Sequence, residues 1–421
     1  MLKSRAVLTL ALPFFLSVSG MAPARAQSTD GWGAPAPDEP YHAYTRPLQN
    51  GSIARAANGL PLEADNGNRT LLPLSPDLNE QVINVPERDD PSITLETTIF
   101  KPDGPGPFPM VVFNHGKERG DPRFQSRSRP LAFAREFVRR GYVVVAPNRR
   151  GFAHSGGVYA EDGCDVAENG LSQAQDVAAT VEYMSRQSYV DAAHVVVAGA
   201  SHGGLTTMAY GDAPQRGVRG LINFSGGLRQ DGCAGWQSNL SHAFGAYGQH
   251  ARVPSLWIYG DNDSFWSRQL ATQMFTAYTT AGGPARMMDF GVYKDNAHRL
   301  VGDRDGVAIW WPGVRAFLAS VGMPTHVRYA VPQNDLPVAS GYAPVTAVEA
   351  VPFVSEEGRA GYRSFLSQYP TRAFAISNTG AWAWAEGGDD PVSTALDSCQ
   401  RNSRDPCKLY AVNERVVWQS R

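Results

Sequence analysis

Short apolar segments alternate with amphipathic segments along most of the chain. From residue 82 onward, brief and nearly all-apolar runs typical of buried strands are separated by stretches with apolar residues at helical spacing. Strands are predicted at 82–85, 93–100, 110–113, 142–146, 195–198, 221–224, 256–259 and 286–290. Helices are predicted to begin at Pro130, at about 171 and 266, and at Pro312, which suits a first helical turn. This alternation predicts an α/β fold whose mostly parallel sheet is covered by helices on both faces.

The strand predicted at 195–198 leads into a Gly-x-Ser-x-Gly motif. The valines at 195–197 are followed by Gly199-Ala-Ser201-His-Gly203 and then by a helical pattern of small residues. Small residues are needed where a strand turns sharply into a helix, and the residue at the apex projects away from the sheet. Gly-x-Ser-x-Gly is weak evidence alone in a chain with 42 glycines, so the strand and helix around it carry the prediction.

Candidate partners for Ser201 lie later in the chain, after two other predicted strands. A serine hydroxyl needs a base to take its proton, and that base needs a carboxylate to orient it. Asp261 and Asp263 both follow the strand at 256–259, and either could reach a histidine. His298 follows the last predicted strand and precedes the final helix of the sheet region. The order nucleophile, acid, histidine is that of α/β hydrolases.

Several short motifs together carry a family resemblance. Residues of about 90–320 resemble the dienelactone hydrolase-like branch of the α/β-hydrolase superfamily, which shades into prolyl-oligopeptidase-like serine hydrolases. The resemblance implies that Ser201 is the nucleophile, that Asp263, three residues after a glycine, is the acid, and that His298 is the base. The dienelactone hydrolases themselves have a cysteine nucleophile at the strand-to-helix turn. The serine at position 201 therefore implies an esterase or acyl hydrolase. The matching motifs are Asn114-His-Gly116, Arg150-Gly151, Gly199–Gly203, Tyr259-Gly-Asp-Asn-Asp263 and Ala297-His298.

Two backbone amides are predicted to stabilise negative charge on the substrate oxygen. One is the N–H of His202, directly after the nucleophile, and the other is the N–H of Lys117, in the loop after the strand at 110–113. His115 is expected to hold that loop by side-chain hydrogen bonds. The alternative for residues 114–116 is an ordinary strand-to-loop turn. With Asp263 as the acid, Asp261 is expected to be a turn residue that binds local backbone N–H groups.

These residues predict a serine hydrolase that cleaves a small-molecule carboxylic ester through an acyl-enzyme, with no metal or organic cofactor. A peptidase using the same triad is the first alternative, and no propeller-like repeat array precedes the catalytic region. The second alternative is a catalytically inactive hydrolase fold that serves as a binding protein. The presence of a complete candidate triad argues against that alternative.

The first 26 residues have the features of a signal peptide. A basic start precedes an apolar run that is too short for a membrane span, and Ala24-Arg25-Ala26 fits a cleavage site. Export to a periplasm or beyond is therefore expected. Three of the 38 basic residues lie in this leader, so 35 basic residues face 40 acidic ones in the remainder. No basic patch indicates nucleic-acid binding, and no later segment is predicted to span a membrane.

Beyond the leader, four regions are predicted: an extended lead-in at 27–80, the α/β-hydrolase domain at 81–321, a proline-containing linker at 322–345 and a small module at 346–421. An exported protein can form disulfides, so we expect the pairs Cys164–Cys233 and Cys399–Cys407, the latter stapling the module. Four free thiols are the alternative.

Removal of the C-terminal module, residues 346–421, is expected to leave small-ester hydrolysis largely intact. Its tryptophans are either a small core or a contact surface for a polymer or the cell envelope: Trp382, Trp384 and Trp418.

Overall fold

The computed structural model describes residues 74–419 except 119, 126, 333–335 and 389. The predicted signal peptide and most of the predicted lead-in lie outside the described residues. No helix within the described part of the chain is long and apolar enough to cross a membrane.

An eight-stranded sheet organises the first part of the described chain. Its strand order is β1-β2-β4-β3-β5-β6-β7-β8. The pairs β1/β2 and β2/β4 are antiparallel and the remaining pairs are parallel, so the predicted edge hairpin and parallel sheet are confirmed. The strands are β1 (Gln81–Pro86), β2 (Thr94–Phe100), β3 (Phe108–Asn114), β4 (Val143–Pro147), β5 (Val190–Ala200), β6 (Val218–Phe224), β7 (Ser255–Tyr259) and β8 (Ala285–Asp289).

Helices cover both faces of this sheet. Alternate residues of β5 enter opposite cores: Val195 and Val197 pack on one face, and Val196 and Ala198 on the other. The first core includes residues of α2, α3, α4 and α5, and the second includes residues of α1 and α6. This two-sided burial explains why the central strands are continuously apolar. The helices are α1 (Leu131–Val138), α2 (Val166–Ser185), α3 (His202–Tyr210), α4 (Trp236–His250), α5 (Arg268–Thr280) and α6 (Val307–Ser320).

The start of α6 was predicted wrongly. Proline suits the first turn, but α6 begins at Val307 and Pro312 lies inside the helix. The preceding turn contains Trp310, which is fully buried and packs against the rings of Phe133 and Phe224. Burial of the Trp310 side chain therefore stabilises α6 by more than the loss of one helical hydrogen bond at Pro312 destabilises it.

A second, four-stranded antiparallel sheet lies near the C-terminus. Its order is β10-β9-β11-β12, and it has its own apolar clusters. Trp418 is buried in one of these clusters and Trp382 and Trp384 pack against it, which favours the interpretation of the tryptophans as core. The elements are α7 (Glu356–Leu366), β9 (Arg372–Ile376), β10 (Trp382–Glu386), α8 (Pro391–Arg401), β11 (Lys408–Val412) and β12 (Arg415–Val416).

Both predicted disulfides are present. Cys164–Cys233 joins the loop after β4 to the loop after β6, both beyond the carboxyl ends of the parallel strands. Cys399–Cys407 joins the end of α8 to the segment before β11. The first pair therefore ties together two loops at the edge of the sheet where α/β folds bind ligands.

Candidate active site

Ser201 occupies the sharp turn between β5 and α3. Its backbone has φ 53° and ψ −123°, a conformation that a non-glycine residue adopts rarely. Flanking glycines make the turn possible: a Cβ on Gly199 would lie 2.1 Å from the carbonyl oxygen of Gly203, and a Cβ on Gly203 would lie 2.0 Å from that of Asn114. The Ser201 N–H donates to the Phe224 carbonyl oxygen at 3.0 Å, which fixes the turn to β6.

His298 and Asp263 are brought together from two separate loops. His298 Nδ1 lies 2.9 Å from Asp263 Oδ2 and 3.1 Å from Oδ1. Asp263 Oδ1 also accepts from the backbone N–H groups of Phe265 at 2.8 Å and Trp266 at 3.1 Å, so the carboxylate is held rigidly. An Nδ1–H donated to Asp263 makes Nε2 the nitrogen with the lone pair, as a general base requires. The other candidate acid, Asp261, pairs instead with Arg268 at 3.2 Å.

Two aromatic side chains connect the histidine to the serine turn. The rings of Phe265 and Trp266 lie with centroids 4.5 Å and 6.2 Å from that of His298. Trp266 packs on Gly227, where a Cβ would meet its ring at 2.6 Å, and the Gly227 N–H donates to the Ser201 carbonyl oxygen at 3.0 Å. The acid loop, residues 260–267 between β7 and α5, is thus packed against the backbone that holds Ser201.

The loop after β3 lies directly against Ser201. A Cβ built on Gly116 would be 3.3 Å from the Ser201 Cβ, so a larger side chain at this position would crowd the nucleophile. His115 holds the loop: its Nε2 accepts from the Arg149 N–H at 3.2 Å, and its Nδ1 donates to the Gly116 carbonyl oxygen at 2.6 Å. Burial and the nearby guanidinium lower the pKa of His115 well below its usual value, so the ring is neutral.

The two predicted oxyanion donors border this contact. His202 is the first residue of α3, and the N–H groups of a first helical turn have no acceptor within their own helix. Lys117 follows Gly116, and its ammonium lies 5.5 Å from the centre of the Tyr159 ring. Burial lowers the pKa of Lys117 to about 8. The roles of the His202 and Lys117 N–H groups as oxyanion donors therefore stay predictions, made for two residues that adjoin the close contact between Gly116 and Ser201.

A fully buried arginine beneath the site was not anticipated from the sequence. Arg149 donates from Nη1 to the His115 carbonyl oxygen at 2.9 Å, from Nη2 to His202 Nδ1 at 3.0 Å and from Nε to Gln173 at 3.0 Å. His202 Nε2 donates in turn to Asn169 Oδ1 at 2.7 Å. One guanidinium thus fixes both segments that carry the predicted oxyanion donors. Burial lowers its pKa to about 10.

Comparisons with known proteins agree with this architecture. The model of the prolyl oligopeptidase family matches residues 131–239, which contain α1 to α3 and the Ser201 turn. The sheet and its Ser201 turn have the arrangement of the α/β-hydrolase fold, and residues 131–239 are similar to the prolyl oligopeptidase family. The predicted fold and family resemblance are therefore confirmed, and the match covers the nucleophile region. A comparison with curated proteins finds no significant match.

Solved structures of both peptidases and esterases are similar to part of this chain. One is dipeptidyl peptidase 4 from Porphyromonas gingivalis (16% identity, TM-score 0.40, 50% of this chain and 31% of the other). Another is a puromycin-hydrolyzing peptidase from Mycobacterium tuberculosis (18% identity, TM-score 0.45, 64% and 44%). A third is an esterase from Pyrococcus furiosus (15% identity, TM-score 0.44, 61% and 97%). The matched region thus spans less than half of the length of either peptidase.

Proposed function

We propose that the protein is an exported serine hydrolase that cleaves carboxylic esters, with Ser201 as nucleophile, His298 as general base and Asp263 as the orienting acid. The observation that carries this proposal is the bond from His298 Nδ1 to Asp263, in loops packed against the Ser201 turn. These three residue types in this order supply the proton transfer that a serine nucleophile needs.

The proposed reaction proceeds in two acyl transfers. Ser201 Oγ attacks the carbonyl carbon of the ester while His298 Nε2 takes the hydroxyl proton, and Asp263 stabilises the imidazolium. The negative charge on the substrate oxygen is stabilised by the N–H groups of His202 and Lys117. The alcohol leaves with the proton from His298. Water then attacks the acyl-enzyme by the same route and releases the acid.

A peptidase is the second candidate, and the match of the prolyl oligopeptidase family model favours it. A panel of nitrophenyl esters and peptide nitroanilides, assayed side by side with a Ser201→Ala control, separates the two functions. We expect hydrolysis of short esters that is lost in Ser201→Ala, with peptides cleaved more slowly. Faster cleavage of a peptide by the parent protein would reverse the assignment.

The folded Ser201→Ala variant also tests the alternative of an inactive binding protein. Hydrolysis by the parent that persists in the variant would show that the reaction does not depend on this serine. A folded parent protein with no hydrolysis of any panel member would favour the binding function.

Export is part of the proposal because two disulfides join the four cysteines, and disulfides persist in oxidising compartments. Sequencing the N-terminus of the protein from cell fractions tests it. We expect a periplasmic or secreted form that begins at Gln27. A cytoplasmic protein with an intact N-terminus would contradict export.

A further inference from the structure

The segment that carries His298 is held from two sides. This histidine loop, residues 294–306, connects β8 to α6. On one side, Asn296 Oδ1 accepts from the His298 N–H at 3.0 Å and from the Ser264 N–H at 3.1 Å, which ties the loop to the acid loop. On the other side, the loop contacts the unit that contains the second sheet, residues 336–419.

The strongest of these contacts is a buried ion pair next to the catalytic residue. Arg299 Nη2 lies 2.8 Å from Oε1 of Glu386, the last residue of β10. The Arg299 and Glu386 side chains are only 3% and 5% exposed, so water screens their attraction little. Arg299 immediately follows His298 and lies in the same short helical turn, Ala297–Arg299. The position of the arginine therefore constrains that of the histidine ring.

Further contacts with the same unit follow along the loop. The Gly388 N–H donates to Asp303 Oδ1 at 2.7 Å, and the Arg304 N–H donates to the Gly388 carbonyl oxygen at 3.3 Å. The Thr371 hydroxyl donates to Asp305 at 3.2 Å. Gly387 has φ +66°, and a Cβ there would lie 2.1 Å from Arg299 Nη2. The second sheet is thus fitted closely to the histidine loop.

The charges around Arg299 indicate what happens when Glu386 is lost. Arg299 Nη1 also contacts Asp295 at 3.1 Å, and the Asp295 side chain is 31% exposed. Glu386 therefore pulls the guanidinium into the interior, whereas Asp295 pulls it toward solvent. A second buried carboxylate, Asp303, lies 3.9 Å from Arg299 Nη2, but it already pairs with Lys294 at 3.0 Å and so cannot fully replace Glu386. Without Glu386 the buried guanidinium is less well compensated, so Arg299 should turn toward Asp295 and displace the Ala297–Arg299 turn.

We propose that the C-terminal unit positions the catalytic histidine, with Glu386 as a positioning residue that acts through Arg299. This inference rests on the proposed role of His298 as the base. It reverses the expectation from the sequence that removal of this unit leaves hydrolysis largely intact. The unit that appeared from sequence to be an appended module thus forms one wall of the support for the triad.

The variant Glu386→Gln tests this inference, with Glu414→Gln as the matched control. Glu414 also makes a carboxylate–arginine contact, with Arg372 at 2.6 Å, but its side chain is 65% exposed and both residues lie within the C-terminal unit. A displacement of about 1 Å at a reacting group can cost on the order of 100-fold in rate. We expect Glu386→Gln to lower kcat for a nitrophenyl ester at least about tenfold with KM nearly unchanged, and to shift the acidic limb of the pH profile. Glu414→Gln should match the parent protein in kcat, in KM and in its pH profile.

Hydrogen exchange measured by mass spectrometry provides a readout that needs no activity. We expect faster exchange in the peptide spanning 294–306 in Glu386→Gln and parent rates there in Glu414→Gln. A parent without Ser201-dependent hydrolysis would refute the proposed function, while the exchange result would still test the contact. A folded Glu386→Gln protein with parent kcat, pH profile and exchange rates would overturn the inference. If that variant does not fold, Glu386→Asp, which keeps the charge and withdraws it from Arg299, is judged by the same measurements.

Discussion

Replacing Arg149 with methionine tests whether this buried guanidinium holds the oxyanion segments. Methionine keeps much of the side-chain volume but removes the three donated hydrogen bonds to the His115 carbonyl, His202 and Gln173. Each buried acceptor left without a donor costs about 1–3 kcal/mol. Removing a fully buried charge recovers a desolvation penalty of several kcal/mol, which opposes this cost. The free energy of unfolding should therefore change by no more than about 2 kcal/mol.

Catalysis should change far more than stability. The loop carbonyl and the His202 ring that Arg149 fixes both belong to segments that carry the proposed oxyanion donors. Complete loss of one such donor costs on the order of 100- to 1000-fold in kcat, which sets the upper limit. We expect Arg149→Met to lower kcat/KM for nitrophenyl acetate about 10- to 100-fold. Urea unfolding of the same preparation measures the stability, and Arg219→Met, at an exposed arginine, is the control. A folded Arg149→Met protein with parent kcat/KM would refute the reasoning.

Three further predictions concern stability. Burial raises the pKa of Glu87 to about 8, so the native state retains a proton that the unfolded chain releases near 4.5. Stability should therefore fall between about pH 5 and 8, by at most about 1.4 kcal/mol per pH unit, and urea midpoints of Glu87→Gln should show a flatter dependence. Gly203→Ala should yield no soluble protein, because the added Cβ would lie only 2.0 Å from a backbone oxygen. The control Gly245→Ala lies in α4, where the added Cβ would make only ordinary contacts. It should raise the free energy of unfolding by about 0.5–1 kcal/mol. Replacing Cys164 and Cys233 together by serine should cost about 4 kcal/mol in urea unfolding because that disulfide closes a 69-residue separation. The first prediction is contradicted if Glu87→Gln has the same pH-dependence of stability as the parent, and the second if Gly203→Ala folds. The third is contradicted if the double cysteine variant has the urea midpoint of the parent.

The sheet and the serine turn could be predicted because their determinants are local. A strand buried on both faces is a run of apolar residues, and the turn needs small residues next to Ser201 whatever the rest of the chain does. The disulfide pairing followed from the separations of the cysteines. By contrast, the start of α6 depended on the burial of Trp310 against distant rings, which outweighed the local preference of Pro312.

The supports of the candidate site could not be predicted for a related reason. In the sequence, Arg149 is one of two adjacent arginines, and nothing local indicates that it is fully buried while its neighbour Arg150 reaches Asp176. The contact between Arg299 and Glu386 joins residues 87 positions apart in the chain. Such pairs form only when the packing of whole elements brings them together, so a single sequence carries no local signal for them.

The central claim is that Ser201 is an activated nucleophile. Labelling of the intact, folded protein with a fluorophosphonate, followed by peptide mass spectrometry, tests it most directly. The account predicts one modified residue, Ser201, labelled in the parent and far more slowly in His298→Gln. Modification at another serine, or no labelling of a folded parent protein, would contradict it.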